Sequence, residues 1–536
     1  MSARDATLSR FLQQTRNALA KSASFLAENR QNPLVARRHF ASVQTMLERF
    51  HEFQPLFTGD EDGLLAANLI LSLGRWPAAW GVSHVWENEL KFSIKACNTS
   101  GRAALAAEAA CLLAELCSAR SAAGDLRRAN RWAALAVEKA YLSKDARAIG
   151  QAVFVRLQTL LKSKKNESIP LLYEQALQAI EAASPDADSR LTALAFLCIP
   201  YARFLHRNGE TQKAIQSITQ MIDSLHPALA LNLDIHKELY DLRGVLYWAS
   251  GDYQAALADF DLEYALLNRK PDLENVDYDQ NEIDVLLISV FANRALVFST
   301  LGQLNDSAAM TLRAIELSRK VNASSLLMRQ MGDLGRNKLC RGELQQALEC
   351  LEEQRQMAQT ANDTDQVYLA TYNHAGTLIF AGRAQEARPD LLNLLKIFKR
   401  RKSALTYAGL LIDMSVCCWH LGELQTAKNY YQQACDFIVA QQLESFTPAI
   451  LRCGALFEDK TNARANLEKA LSLVRASNSK FDETACILHL AYLSDDLAAK
   501  QTYWRDALSR LEEMGALAWV EHKSPDDFVM LPFFSA

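Results

Sequence analysis

The sequence predicts an all-α fold, an α-solenoid of about eleven stacked helical hairpins, and three observations carry that prediction. Four glycines, Gly302, Gly342, Gly382 and Gly422, stand 40 residues apart, and each is followed five residues later by a small residue: Ser307, Ala347, Ala387 or Ala427. A fixed period of this length is how an array of supersecondary units shows itself. Around each glycine, as between Asn293 and Ile315, apolar residues recur every three or four positions, stop at the glycine and resume. That is the pattern of helix, tight turn, helix. Glycine and proline are scarce, at 20 and 12 of 536 residues, which favours helix over sheet.

Taken in order, residues 1–58 predict two helices without the repeat signature, suited to an N-terminal helical cap. Residues 59–513 hold the array. Its turns are marked by Gly74/Ala79, Gly124/Ala129, Gly209/Ala214 and Gly251/Ala256, with a hairpin lacking the glycine at 146–182. The four 40-residue units follow, and two hairpins centred before Ala463 and Ala499 have lost the turn glycine. Residues 514–536 leave the helical pattern as a C-terminal tail. Between Gly251 and Gly302 the interval widens to 51 residues, and the acidic stretch from Pro271 to Asp284 fills it as a solvated loop or a partner contact.

Within a repeat the glycine suits a left-handed position that ends the first helix. Small residues seven before it (Gly244, Ala295, Gly335, Ala375, Ser415) let the two helices approach. Larger ones, such as Tyr247, Phe298 and Leu378 on first helices and Phe260, Leu351, Leu391 and Tyr431 on second helices, fill the gaps. Neither helix can bury its apolar stripe alone, so stacking is obligatory.

The order small residue, aromatic, glycine, alanine, aromatic resembles the tetratricopeptide repeat, and Gly244, Tyr247, Gly251, Tyr253, Ala256 and Phe260 meet it best. The family's proline is matched only roughly by Pro271, and its tryptophan near the start of the first helix is absent. Repeats of 40 rather than 34 residues resemble the sensor regions of MalT-type and other signal-transduction ATPases, kinesin light chains and Rap-type peptide receptors. The resemblance implies a right-handed superhelix whose first helices line a concave groove that holds a peptide or partner segment. No G-x-x-x-x-G-K-[ST] occurs, so an ATP switch of the first group is not expected in this chain.

On that analogy the groove carries a ladder at the repeat period: Asn293, Asp333, Asn373 and Asp413, two residues before each small position. An asparagine donates and accepts at once and so matches a peptide group; the aspartates attract a cationic segment. The alternative is that these side chains bond to a neighbouring helix or face water. Arg329 and Arg336 lie two helical turns apart on one face, with Arg294 on the preceding first helix, a set able to clamp a carboxylate or phosphate unless local acids such as Asp333 take it. In the tail, Phe528, Leu531, Phe533 and Phe534 are too apolar to lie free in water: they dock on the final hairpin or insert into a partner.

Other chemistry is poorly supported. A net charge of −4 argues against bulk attraction to nucleic acid or an anionic membrane, and the basic run Lys396–Lys402 closes a second helix, where cations suit the dipole. No uninterrupted apolar run approaches about 18 residues, so no spanning helix is expected. The polar start lacks the apolar core of a secretory signal. Eleven cysteines without disulfide or zinc spacing read as buried thiols in a reducing compartment, the cytoplasm. His51 and Glu52 lack the second histidine of a zinc helix, and no catalytic set, metal site or cofactor motif stands out. The expected function is a cytoplasmic, non-enzymatic scaffold or receptor without cofactor, binding another protein or a peptide in the groove. The second reading is a ligand- or signalling-peptide-responsive sensor acting on a separately encoded effector.

Overall fold

A computed structural model describes residues 3–533 apart from 29–32, 53–55, 57–58, 73–83, 121–123, 164–165, 184–185, 226–232, 269–279 and 402. The Gly74/Ala79 turn, most of the acidic 271–284 stretch and Phe534 therefore lie outside the described residues. Every regular element among those described is helical. The order is α1 (Ala3–Glu28), α2 (Pro33–Glu52), α3 (Asp60–Ser72), α4 (His84–Thr99), α5 (Ala103–Arg120), α6 (Asp125–Ser143), α7 (Ala146–Lys162), α8 (Ile169–Ala183), α9 (Ala187–Arg207), α10 (Thr211–Leu225), α11 (Leu233–Ala249) and α12 (Tyr253–Asn268). There follow α13 (Gln280–Thr300), α14 (Leu304–Lys320), α15 (Ser324–Arg341), α16 (Leu344–Thr360), α17 (Thr364–Phe380), α18 (Ala384–Arg401), α19 (Ala404–His420), α20 (Leu424–Ala440), α21 (Thr447–Gly454), α22 (Lys460–Ala476), α23 (Lys480–Leu493) and α24 (Leu497–Met514). The chain is an α-solenoid of antiparallel hairpins, each odd-numbered helix from α5 on being the first of its pair.

The turns explain the period. Gly302, Gly342, Gly382 and Gly422 all have φ between 74° and 82°, the left-handed region that costs a side-chain-bearing residue about 1–2 kcal/mol. At Gly342 the Gly342 N–H donates to Leu339 O at 3.0 Å and Glu343 N–H to Lys338 O at 2.9 Å, so the orphan carbonyls that end α15 are satisfied. The passage from one hairpin to the next uses a second left-handed ladder, Asn322, Asn362, Gln442 and Asn478, at φ 54–55°. Asparagine tolerates that region best among residues with a side chain. The small positions work by contact: a Cβ at Gly244 would lie 2.6 Å from the Phe260 ring, and one at Gly335 2.6 Å from Leu351.

The chain divides into two compact units, Met1–Ile283 and Asp284–Ala536, the boundary falling at the widened 51-residue interval. In the first unit a continuous apolar core runs from Leu19 to Leu246, and successive first helices touch, Gly150 of α7 lying against the backbone of Ala193 in α9. The second unit closes on itself. Gly302, in its first turn, lies against Lys480 and Met514 of the last hairpin, and Leu304 shares a buried cluster with Leu511 and Met514.

Residues 283–300 have a mean hydropathy of 1.6, long and apolar enough by length and composition to cross a membrane. They form most of α13, a first helix whose Ile288, Val290 and Val297 are buried in the unit, and Asp284 at its start pairs with Lys320 at 2.5 Å.

Candidate functional site

The C-terminal ends of the first helices in the second unit carry an unexpected occupant, the chain's own tail. The last helix, α24, ends at Gly515 (φ 72°), where Ala516 N–H reaches back to Leu511 O at 2.7 Å, and Gly515 sits against Asn305 of the first hairpin. One short helical turn, Leu517–Val520, then aims Trp519 across the ends of the next two first helices. Its indole N–H donates to Cys340 O at 2.9 Å, and its ring meets Phe380 edge-on at 6.2 Å. An exposed polar turn follows, pinned by Ser524 N–H and hydroxyl donating to Asp527 at 2.7 Å each and by Lys500–Asp526 at 2.6 Å. Beyond it residues 528–533 belong to no helix or strand.

Phe528 enters an aromatic box of Trp419 (5.7 Å), His489 (4.9 Å) and Tyr492 (5.2 Å). Val529, Met530 and Leu531 are buried, Leu531 completely. Residues 515–533 thus touch all six hairpins of the unit. The anchor is Arg452 of α21, itself fully buried. Its guanidinium donates to Asp482 at 2.7 Å, to Leu531 O at 2.9 Å and to Pro532 O at 3.4 Å, and the Phe533 ring covers it at 4.5 Å. A buried cation is tolerable only when paired and hydrogen-bonded, and here one carboxylate and two tail carbonyls serve its two terminal nitrogens, Nε being left without a hydrogen-bond partner. Burial raises the Asp482 carboxyl while Arg452 opposes the shift. Burial, with the Arg452 charge adding to it, lowers His489 from 6.5 to about 3, so the imidazole under Phe528 is neutral.

The structure treats the sequence-derived candidates unequally. Asn293, Arg294 and Asn373 are half-buried on their first helices, and Arg329 is exposed. Arg336 is exposed and pairs with Asp333 at 2.8 Å, the local pairing weighed against an anion clamp. Asp413 is a correction. It is buried against α17, where the Tyr372 hydroxyl bonds to it, and burial raises it from 3.8 to about 7. A Cβ at Gly409 would lie 2.6 Å from that hydroxyl, so the glycine makes the approach of Tyr372 possible. For the tail the structure takes the first of the two alternatives, since Phe528, Leu531 and Phe533 dock internally. The basic run contributes Arg401, which pairs with Asp365 and lies 4.8 Å over the Tyr368 ring.

Arg452, His489, Asp482 and Trp519 escaped the sequence reading. A cue existed for two of them: Arg452 and His489 interrupt otherwise apolar stretches, 448–457 and 484–493. In the first unit the start of α5 and of α7 flank an open cleft of about 600 Å³ lined by Arg102, Glu108, Asp145, Arg147 and Gln151. No group of three or more potential metal ligands occurs among the described residues.

No protein-family model matches the sequence, and no curated protein does. Among solved structures, a Rap protein complexed with Competence and Sporulation Factor is similar at 12% identity and a TM-score of 0.51, over 67% of this chain and 97% of that one. The apo quorum sensor NprR from B. thuringiensis is similar at 16% identity and a TM-score of 0.45, over 67% and 97%. A signal-transduction ATPase with a tetratricopeptide repeat sensor from Pyrococcus horikoshii gives 12% and 0.37, over 77% and 53%. At such identities the likeness concerns the fold. With left-handed glycines closing its hairpins and a hairpin course shared with Rap, the chain has the fold of the tetratricopeptide-repeat superfamily.

Proposed function

We propose that this chain is a non-enzymatic protein-interaction regulator, a scaffold or receptor that binds a partner segment or peptide along the first helices of its hairpins. The observation that carries the reading is segment 528–533, outside any helix or strand, with buried side chains and two main-chain carbonyls on a buried arginine. Main-chain bonds supply affinity and side-chain pockets supply specificity in such recognition, and a surface already formed avoids the cost of ordering the receptor.

The ladder fits the same surface. Asp333 and Cys340, like Asn373 and Phe380, stand seven residues apart, two turns along one helix face. In this reading Asn293, Arg294, Arg329, Asp333, Arg336 and Asn373 line the stretch of first helix beyond the docked tail, and Asp413 supports it from behind through Tyr372. The partner is a protein or peptide, with no direct nucleic-acid or membrane contact, in the cytoplasm. A signalling-peptide sensor acting on a separate effector is the second reading; the Rap neighbour's complex with Competence and Sporulation Factor favours it.

Capture from source-cell lysate followed by mass spectrometry, comparing the wild type with the Asn293→Ala/Arg336→Ala/Asn373→Ala variant, tests the proposal. Partners retained by the wild type and lost by the variant support it. Identical capture by both removes the ladder from the site.

A further inference from the structure

We propose that the first-helix ends of the second unit form a binding site for an acidic–aromatic–aliphatic–proline–aromatic segment, which residues 526–533 occupy in cis. A partner segment of that chemistry gains the site by displacing the chain's own tail. The inference rests on the receptor reading above and names both its ligand class and its regulation.

The site's demands can be read from what fills it. Lys500 takes the acidic residue that opens the segment, Asp526. Trp419, His489 and Tyr492 take an aromatic ring, and the site around Leu531 takes an aliphatic side chain with no water contact. Arg452 requires two successive carbonyl oxygens, here those of Leu531 and Pro532, and a ring to cover it. A proline after the aliphatic residue fixes its own φ, biases the residue before it away from helix and carries no backbone donor.

Two features make the occupant exchangeable. Residues 528–533 belong to no helix or strand, so their release breaks no ladder. They are joined to the Trp519 anchor by Glu521–Ser524, four exposed residues in which His522 holds φ 61°, a left-handed turn outside any helix. The strap can therefore lift at 521–524 while Trp519 stays bonded to Cys340 O. Lifting exposes Arg452 with Asp482 as its remaining acceptor, an unfavourable state that a second segment bearing carbonyls relieves. Tethering presents the tail at an effective concentration on the order of millimolar, so a free segment competes poorly until the strap is cut, modified or outmatched.

The test uses the full chain with a protease cleavage sequence inserted between His522 and Lys523, and a labelled synthetic peptide corresponding to Ser524–Ala536. After cutting, the labelled peptide is expected to exchange with the cleaved fragment and bind saturably, with affinity at least 100-fold above that for the uncut chain. A peptide carrying Leu531→Asp is expected not to bind. Hydrogen exchange on the unmodified protein supplies the second readout: the amides of Val529, Met530 and Leu531 should open while α21 and α23 stay protected. Equal binding of both peptides, no exchange after cutting, or opening of 529–531 only with α21 and α23 would overturn the proposal. Failure here with successful ladder-dependent capture leaves the receptor reading standing. Peptide exchange together with identical capture by the ladder variant keeps the site and removes the ladder from the receptor reading.

Discussion

Replacing Arg452 by methionine keeps the length of the aliphatic stem and removes the charge on which the tail converges. Asp482, whose side chain is 14% exposed, then faces a buried environment without its cation, and the carbonyls of Leu531 and Pro532 lose their donor. Breaking one partner of a buried pair costs about 3–5 kcal/mol, far more than the pair's net contribution, because the survivor stays desolvated. Asp482→Asn alone should cost somewhat less than Arg452→Met, since the two tail carbonyls still accept from the guanidinium. The double variant removes both charges and should cost about 2–3 kcal/mol less than the sum of the singles, the coupling expected of residues in direct contact. Urea unfolding followed by circular dichroism and tryptophan fluorescence, read on the transition that carries the second unit, measures all three. A single Arg452→Met cost below about 1 kcal/mol, or additivity within about 0.5 kcal/mol, would refute the idea that this guanidinium is held by Asp482 and the tail together.

The second unit also holds two groups that respond to acid with opposite sign. His489 titrates near 3 when folded and at 6.5 when free, so its contribution is intact above pH 6.5 and is lost as pH falls toward 3; from pH 7.5 to 5.5 the loss is about tenfold, or about 1.4 kcal/mol. Asp413 titrates at about 7 when folded and 3.8 when free, so its contribution is largest below 3.8 and is lost as pH rises through 7; the same acidification returns about 2 kcal/mol. Melting curves at the two pH values should therefore show His489→Gln gaining on the wild type at pH 5.5 and Asp413→Asn falling behind; unchanged differences would count against both assignments. Two glycines in helix interiors should diverge under substitution by alanine. Gly335→Ala forces a Cβ to 2.6 Å from Leu351 and should cost about 1–3 kcal/mol, whereas Gly376, with nothing within 4 Å of such a Cβ, should gain about 0.5–1 kcal/mol in the same denaturation assay.

The hairpins were legible because everything that defines them is local. A left-handed glycine, a small residue five positions on and an apolar stripe of period three to four act within one repeat, and the glycine at 302, 342, 382 and 422 has the expected φ each time. The second ladder of left-handed residues, including Asn322 and Asn362 at the same period, is just as local, but asparagine in a polar turn carries no distinctive pattern. The site was different. The Asn293 ladder was placed by its period, but period says nothing about which member a neighbour will claim. Asp413 went to Tyr372 across two helices because Gly409 leaves room, and Asp333 went to Arg336 within one turn.

The sequence alone determined the helical repeat, its turns and the small-against-large packing, since these depend on residues a few positions apart. Only the tertiary structure decided where the tail goes. Trp519 finds Cys340 across 179 residues and Arg452 finds Leu531 across 79, and no periodicity links such partners. They meet because the second unit curves until its last hairpin reaches its first turn, which brings the ends of its first helices within reach of one short tail.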